Sequence, residues 1–240
     1  MRIIVCENYD EMSENAAKII GSQLVLKPDS TLGLATGSTP VGLYEKLIEM
    51  NKNGEIDFSE VTSFNLDEYY PIKHSNNQSY YYFMHEKLFS KINIKPENIN
   101  IPNGETDNLE KECEDYERRL SEGRGIDIQI LGIGQNGHIG FNEPDADLCS
   151  VTHLTELTDS TIEANSRFFE SKEDVPTKAI TMGLSSILKS KKIILLASGE
   201  NKRAAVSELL NDKITTDCPA TMLKVHSDVV LICDKAAYGG

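Results

Sequence analysis

The chain has 240 residues, 38 of them acidic against 24 basic, and a formal net charge of −14. That charge excludes general binding to nucleic acid or anionic membrane, which it repels, and any anionic ligand must meet a local positive site. The 39% hydrophobic and 26% charged content is that of a globular protein. The length suits one α/β core burying roughly 70–75% of the unfolded surface, and no apolar run reaches the ~20 residues of a membrane helix.

Arg2–Cys6 reads as a first strand, and Met12, Ala16, Ile19 and Ile20 follow at helical spacing. Charge at Glu7 and Asp10 interrupts any signal-like apolar start, so a cytoplasmic location is expected. Thr31–Ala35 is a second strand, followed by a helix carrying Val41, Tyr44, Leu47 and Ile48 that Gly54 is placed to end. Val61–Leu66 is a third strand, and helical faces recur at Tyr80, Phe83, Met84, Leu88 and at Leu109, Cys113, Tyr116, Leu120. Further strands are predicted at Ile126–Leu131, Ala179–Met182, Ile193–Ala197 and Val229–Cys233, with a helix around Asn201–Leu210. This alternation predicts a single α/β domain over 1–240, with a Rossmann-like, open and mainly parallel sheet covered by helices on both faces. Cys6, Cys113, Cys149, Cys218 and Cys233 are too widely spaced for a CxxC site and are expected as buried, reduced thiols.

Ligands of such sheets bind beyond the carboxyl ends of the strands, so segments 36–39, 67–78, 132–144 and 198–203 should share one rim. Thr36-Gly37-Ser38-Thr39-Pro40 has the makings of an anion site, with Pro40 at the first helical position and Thr39 as N-cap. A capped turn of this kind is common, and no Walker lysine is present. Asp67 and Glu68 are adjacent carboxylates at a strand end, where at most one faces a site and can serve as a general base; otherwise they form a solvated acidic turn. Gly132 to Pro144 holds four glycines in nine residues around Asn136, His138 and Glu143. An acid beside a histidine moves protons near neutral pH, and an amide can fix the ring's tautomer. The literal GxGxxG at Gly132, Gly134 and Gly137 lies mid-chain, and the acid it needs is not at a strand end. His74, His85, His153 and His226 show no metal-ligand spacing. Arg167, Lys202 and Arg203 are candidate cations for a phosphate. Tyr80-Tyr81-Tyr82-Phe83-Met84 reads as packing, and the polar stretch 145–175 as a candidate lid.

Taken together, the TGSTP segment at 36–40, FNLDEY at 64–69, GIGQNGHIGFNEP at 132–144 and ANSRFF at 164–169 resemble the signatures of the glucosamine-6-phosphate deaminases, in their order and over nearly the whole chain. The resemblance implies conversion of glucosamine 6-phosphate and water into fructose 6-phosphate and ammonia, without metal or organic cofactor. It assigns ring opening to His138 with Glu143 and Asn136, and proton transfer from C2 to C1 to Asp67. Gly37, Ser38, Thr39, Arg167 and Lys202 match the family's phosphate-binding positions.

Some members carry aspartate where this chain has Asn136, which can orient His138 but not stabilise an imidazolium by charge. The segment Val151–Thr155 lacks the basic residues with which allosteric hexameric members grip a second sugar phosphate. A monomer or small homo-oligomer, with little or no activation by N-acetylglucosamine 6-phosphate, is therefore expected. The rivals are a 6-phosphogluconolactonase, whose loop runs differently after the histidine, and a non-catalytic sugar-phosphate sensor, which would add a basic DNA-binding module.

Overall fold

The computed structural model describes residues 1–123, 125–158, 161–163 and 175–239. Seven strands form one sheet in the order β1-β10-β9-β6-β2-β3-β5, and every pairing in it is parallel. They are β1 (Arg2–Cys6), β2 (Thr31–Leu34), β3 (Thr62–Asn65), β5 (Ile99–Asn100), β6 (Ile128–Gly132), β9 (Lys192–Ala197) and β10 (Val229–Asp234). Successive residues of a strand point to opposite faces, and all six residues of β10 are buried. Both faces of the sheet are therefore covered at β10, which explains why Val229-Val230-Leu231-Ile232-Cys233 shows no polar alternation, whereas edge strand β1 leaves Ile3 and Val5 exposed.

The helices among the described residues include α1 (Tyr9–Leu26), α2 (Val41–Lys52), α3 (Tyr80–Lys87), α4 (Leu109–Glu122), α5 (Leu184–Leu188), α6 (Arg203–Leu210) and α7 (Lys235–Tyr238). Of the α1 positions predicted from the periodicity, Met12, Ala16 and Ile20 are fully buried, and Ile19 is half-buried against the same core. On α4, Tyr116 meets Phe64 edge-on at 5.8 Å and donates its hydroxyl to the Asn65 carbonyl at 2.6 Å.

Two expectations need correction here. Helix α2 begins at Val41, with Pro40 as the boundary residue and no side-chain cap, so Thr39 is not an N-cap. Instead the Tyr9 hydroxyl accepts from Gly42 N at 2.7 Å and donates to the Ser38 carbonyl at 3.1 Å, tying α1 to this turn. Of the five free cysteines, Cys6, Cys218 and Cys233 are buried, but Cys113 is half-buried and Cys149 exposed.

A second sheet was not foreseen. The chain leaves β3 at Leu66, whose N–H still reaches the Leu34 carbonyl at 3.0 Å, and enters β4 (Asp67–Tyr70). β4 pairs antiparallel with β8 (Lys178–Thr181), which pairs antiparallel with β7 (His153–Glu156). Asp67, Thr181 and His153 thus stand in one row across the small sheet. Residues 153–156, assigned above to a candidate lid, are strand instead.

Strand order reverses between β2 and β6: from β2 the chain moves outward to β3 and β5, then returns to β6 on the other side. The loops after β2 and β6 part at that point, leaving the crevice where such sheets bind ligands. The small sheet carries Asp67 to the same edge.

Candidate active site

The loop after β6 folds on itself. Gly134 N donates to the His138 carbonyl at 2.9 Å and Gly137 N to the Gly134 carbonyl at 3.1 Å. A Cβ on Gly134 would lie 2.4 Å from the His138 ring, so the imidazole rests against a bare α-carbon. Ala220 N binds the Gly137 carbonyl at 2.9 Å from the far end of the chain, and Asn142 Nδ2 donates to the Ile139 and Met182 carbonyls, each at 2.9 Å. These bonds fix the loop as part of the core.

Within it, Glu143 Oε2 accepts from Asn136 Nδ2 at 2.7 Å and lies 3.2 Å from His138 Nδ1. The carboxylate is 7% exposed and the imidazole 25%. Burial pushes the Glu143 carboxyl upward, but the His138 hydrogen bond and charge, with bonds from Thr161 and Asn136, outweigh it and hold the group at about 2. Glu143 is therefore a carboxylate at neutral pH. With Nδ1–H given to Glu143, Nε2 of His138 is left to accept a proton. Asn136 does not fix the tautomer: its Oδ1 accepts from the His138 backbone N–H at 3.2 Å, and its amide orients Glu143. The imidazole itself is held by Glu143.

Asp67 and Glu68 are both buried, at 6% and 0% exposure, so the solvated-turn alternative is wrong. Glu68 accepts from Tyr69 N and Tyr80 N on Oε1, at 2.9 and 2.8 Å, and from Tyr81 N on Oε2 at 2.8 Å. It locks the start of α3 to β4. Asp67 faces the other way. Burial first, and the Glu68 charge second, push its carboxyl up from the ordinary 3.8 to about 8. Glu68 itself is raised by burial to about 7, its three backbone bonds opposing.

The decisive contact joins the two motifs. A Cβ on Gly140 would meet Thr181 Oγ1 at 3.1 Å and Asp67 Oδ2 at 3.5 Å, and Gly140 has φ +58°. The residue two places beyond His138 therefore lies directly against the Asp67 carboxylate. Thr181 Oγ1 also accepts from Phe141 N at 3.1 Å, fixing the loop to the small sheet. Phe141 stacks on Tyr80 at 6.0 Å, and Tyr69 completes the aromatic cluster at 4.7 Å from Tyr80. Tyr80 packs, as expected, but it packs against the site.

Gly37, Ser38 and Thr39 lie at the carboxyl end of β2, with Ser38 exposed, Gly37 at φ +86° and open space beside its α-carbon. Lys202 follows β9 on the same edge, in a single turn Glu200–Lys202 whose loop is tied by Ser198 Oγ and Gly199 N to Asp234. Arg167 lies outside the described residues. Thr161, Thr181 and Tyr9 were missed, and Glu68 was singled out only as a possible base and not as the group that ties α3 to β4. Their partners are 18 to 40 residues away, or 12 and 13 for Glu68 with Tyr80 and Tyr81, separations that carry no local pattern.

Residues 7–232 match the family of glucosamine-6-phosphate isomerases and 6-phosphogluconolactonases. A glucosamine-6-phosphate deaminase of Clostridium botulinum (strain Kyoto / Type A2) is 60% identical over 237 residues, covering 99% of this chain and 97% of that protein. The chain belongs to this family. A glucosamine-6-phosphate deaminase of Clostridioides difficile (strain 630) is 57% identical, over 99% of this chain and 95% of its own. Among solved structures, a monomeric glucosamine-6-phosphate deaminase aligns with a TM-score of 0.97 at 44% identity, over 100% of this chain and 99% of that one. The 6-phosphogluconolactonase of Thermotoga maritima, at 23% identity and a TM-score of 0.76 over 98% of this chain and 99% of its own, shares the fold of this isomerase and lactonase family.

Proposed function

We propose that the chain is a glucosamine-6-phosphate deaminase, converting glucosamine 6-phosphate and water into fructose 6-phosphate and ammonia. The observation that carries this reading is the approach of Gly140 to Asp67 Oδ2, which puts a buried carboxylate and the His138–Glu143 pair beside one crevice. The relatives at 57–60% identity support the choice of substrate. His138, through Nε2, takes the proton from the C1 hydroxyl and returns it to the ring oxygen as the C1–O5 bond breaks and C1 becomes the carbonyl, while Glu143 stabilises the charge that the imidazole gains in between. Asn136 holds Glu143 in place. Asp67 then removes the proton from C2 and returns it to C1, giving an enolamine and then a ketose imine equivalent whose hydrolysis releases ammonia. A carboxyl with raised proton affinity suits both halves of that transfer, since it must take the proton and give it back.

Gly37, Ser38 and Thr39 bind the phosphate through the exposed end of β2 and the start of α2, with Lys202 and Arg167 supplying local positive charge against the chain's net charge of −14. The protein acts as one cytoplasmic unit of 1–240, a monomer or small homo-oligomer, with no nucleic-acid or membrane partner and no cofactor. The test is incubation with glucosamine 6-phosphate while following ammonia and fructose 6-phosphate together. Equimolar appearance supports the reading; hydrolysis of 6-phosphogluconolactone with no ammonia release replaces it with the lactonase.

A further inference from the structure

Glu143 has two oxygens with different surroundings. Oε2 is shared by Asn136 Nδ2 and His138 Nδ1. Oε1 accepts a hydrogen bond from the Thr161 hydroxyl, on a residue only 5% exposed. A carboxylate is a two-fold rotor about its last bond, so partners on one oxygen alone leave its plane free to turn. A donor on the other oxygen fixes that plane. We infer that Thr161 is a positioning residue for the proposed reaction, its hydroxyl holding Glu143 so that Oε2 stays on the His138 imidazole.

The local turn does not use that hydroxyl's proton. Thr158 builds the turn: its carbonyl accepts from Ile162 N at 2.9 Å and its Oγ1 accepts from Thr161 N at 3.3 Å. The Thr158 hydroxyl in turn donates to Thr161 Oγ1 at 3.2 Å. Thr161 Oγ1 therefore has one lone pair engaged and its proton directed to Glu143, in a hydrogen-bonded chain that runs Thr158, Thr161, Glu143, His138. The side chain reaches across 18 residues of sequence to a buried acid. Bonds to a charged acceptor are the strong ones, and this bond adds to those that hold Glu143 ionised.

The inference rests on the proposed ring-opening role of Glu143, and the test separates the two. Thr161→Val and Thr161→Ala remove the donor; Thr161→Ser keeps it. In the full chain, kcat for ammonia release is expected to fall ~10- to 100-fold in the first two with KM little changed, and to recover to within about 3-fold of wild type in the third. Independently of substrate, the Glu143 carboxyl resonance in ¹³C-glutamate-labelled protein stays flat from pH 4 to 7 in wild type and in Thr161→Ser. It begins to titrate in Thr161→Val and Thr161→Ala. Wild-type kcat with a flat resonance in both hydroxyl-free variants overturns the inference, as does an equal loss in Thr161→Ser. Absence of ammonia release from the wild type removes the proposed reaction instead, and the carboxyl titration still decides what Thr161 does to Glu143.

Discussion

Glu68 accepts three backbone hydrogen bonds, while Asp67, the next residue back in the chain, accepts none from the described residues. Both are buried on a strand that turns them to opposite faces. Glu68 is wired as structure, joining β4 to α3. Asp67 is left with its proton affinity raised and with Gly140 and Thr181 beside it, the condition of a carboxyl available for chemistry.

Asp67→Asn is expected to lower turnover by roughly 10³-fold or more while substrate binding is largely kept, because the amide fills the same space but cannot take the C2 proton. It should also stabilise the fold. A carboxyl raised to about 8 in the folded chain, against an ordinary 3.8, binds its proton more tightly folded than unfolded. Its contribution is most favourable below the ordinary value and is lost as pH rises through about 8. The Tm gain of Asp67→Asn over wild type should therefore be larger at pH 9 than at pH 5, at ~2–4 °C per kcal/mol recovered. Equal Tm differences at the two pH values would remove the buried-carboxyl account.

In the wild type, kcat/KM should rise with pH through about 8 as Asp67 in the free chain loses its proton. Glu68→Gln removes the charge that opposes that loss, so the rising limb should move to lower pH. The same substitution turns an amide N–H toward Tyr81 N or leaves it without an acceptor, at a cost of about 1–3 kcal/mol in denaturant unfolding. A limb that does not move in Glu68→Gln, in protein shown to be folded, would mean that the charge of Glu68 is not felt at the base.

The sheet was legible because buried parallel strands are nearly continuous apolar runs: Val229–Cys233 and Ile193–Ala197 fall within one residue of β10 and β9. The small sheet was not legible. Asp67-Glu68-Tyr69-Tyr70 looks like a turn because its acids break the apolar pattern, and both acids are buried for reasons supplied by α3 and by the loop around Gly140. The pairing of His138 with Glu143 was visible in one segment, since both lie on the same loop. The partner of Asn136 was misjudged because proximity in sequence to His138 put its Oδ1 on the backbone rather than on the ring.

Glu143→Gln tests the electrostatics of that pair through stability as well as rate. The carboxyl is held at about 2, below the ordinary 4.5, so it binds its proton less tightly folded than unfolded. The stability it contributes is present above pH 4.5 and is lost as pH falls toward 2. The variant should be less stable than wild type at pH 7, and the gap should shrink as pH is lowered through 4. Circular dichroism melts across that range read it directly. A constant gap would assign the loss to packing rather than to charge.

The position of the imidazole offers a sharper test than its removal. His138 lies over Gly134 with no room for a methyl group, since an added Cβ would stand 2.4 Å from the ring's Nδ1 and Cε1. Ring atoms bonded to Glu143 on one side cannot yield without swinging Nδ1 off the carboxylate. Gly134 has no positive φ, so alanine costs little in backbone strain there. Gly134→Ala should therefore fold, with a modest loss of Tm, yet lose kcat by ~10²-fold or more, approaching the loss of His138→Ala. The double variant should then be little worse than either single one, because both act on the same proton transfer. Additive losses would show that Gly134 matters for some other reason, such as the Gly137 N to Gly134 carbonyl bond that closes the loop.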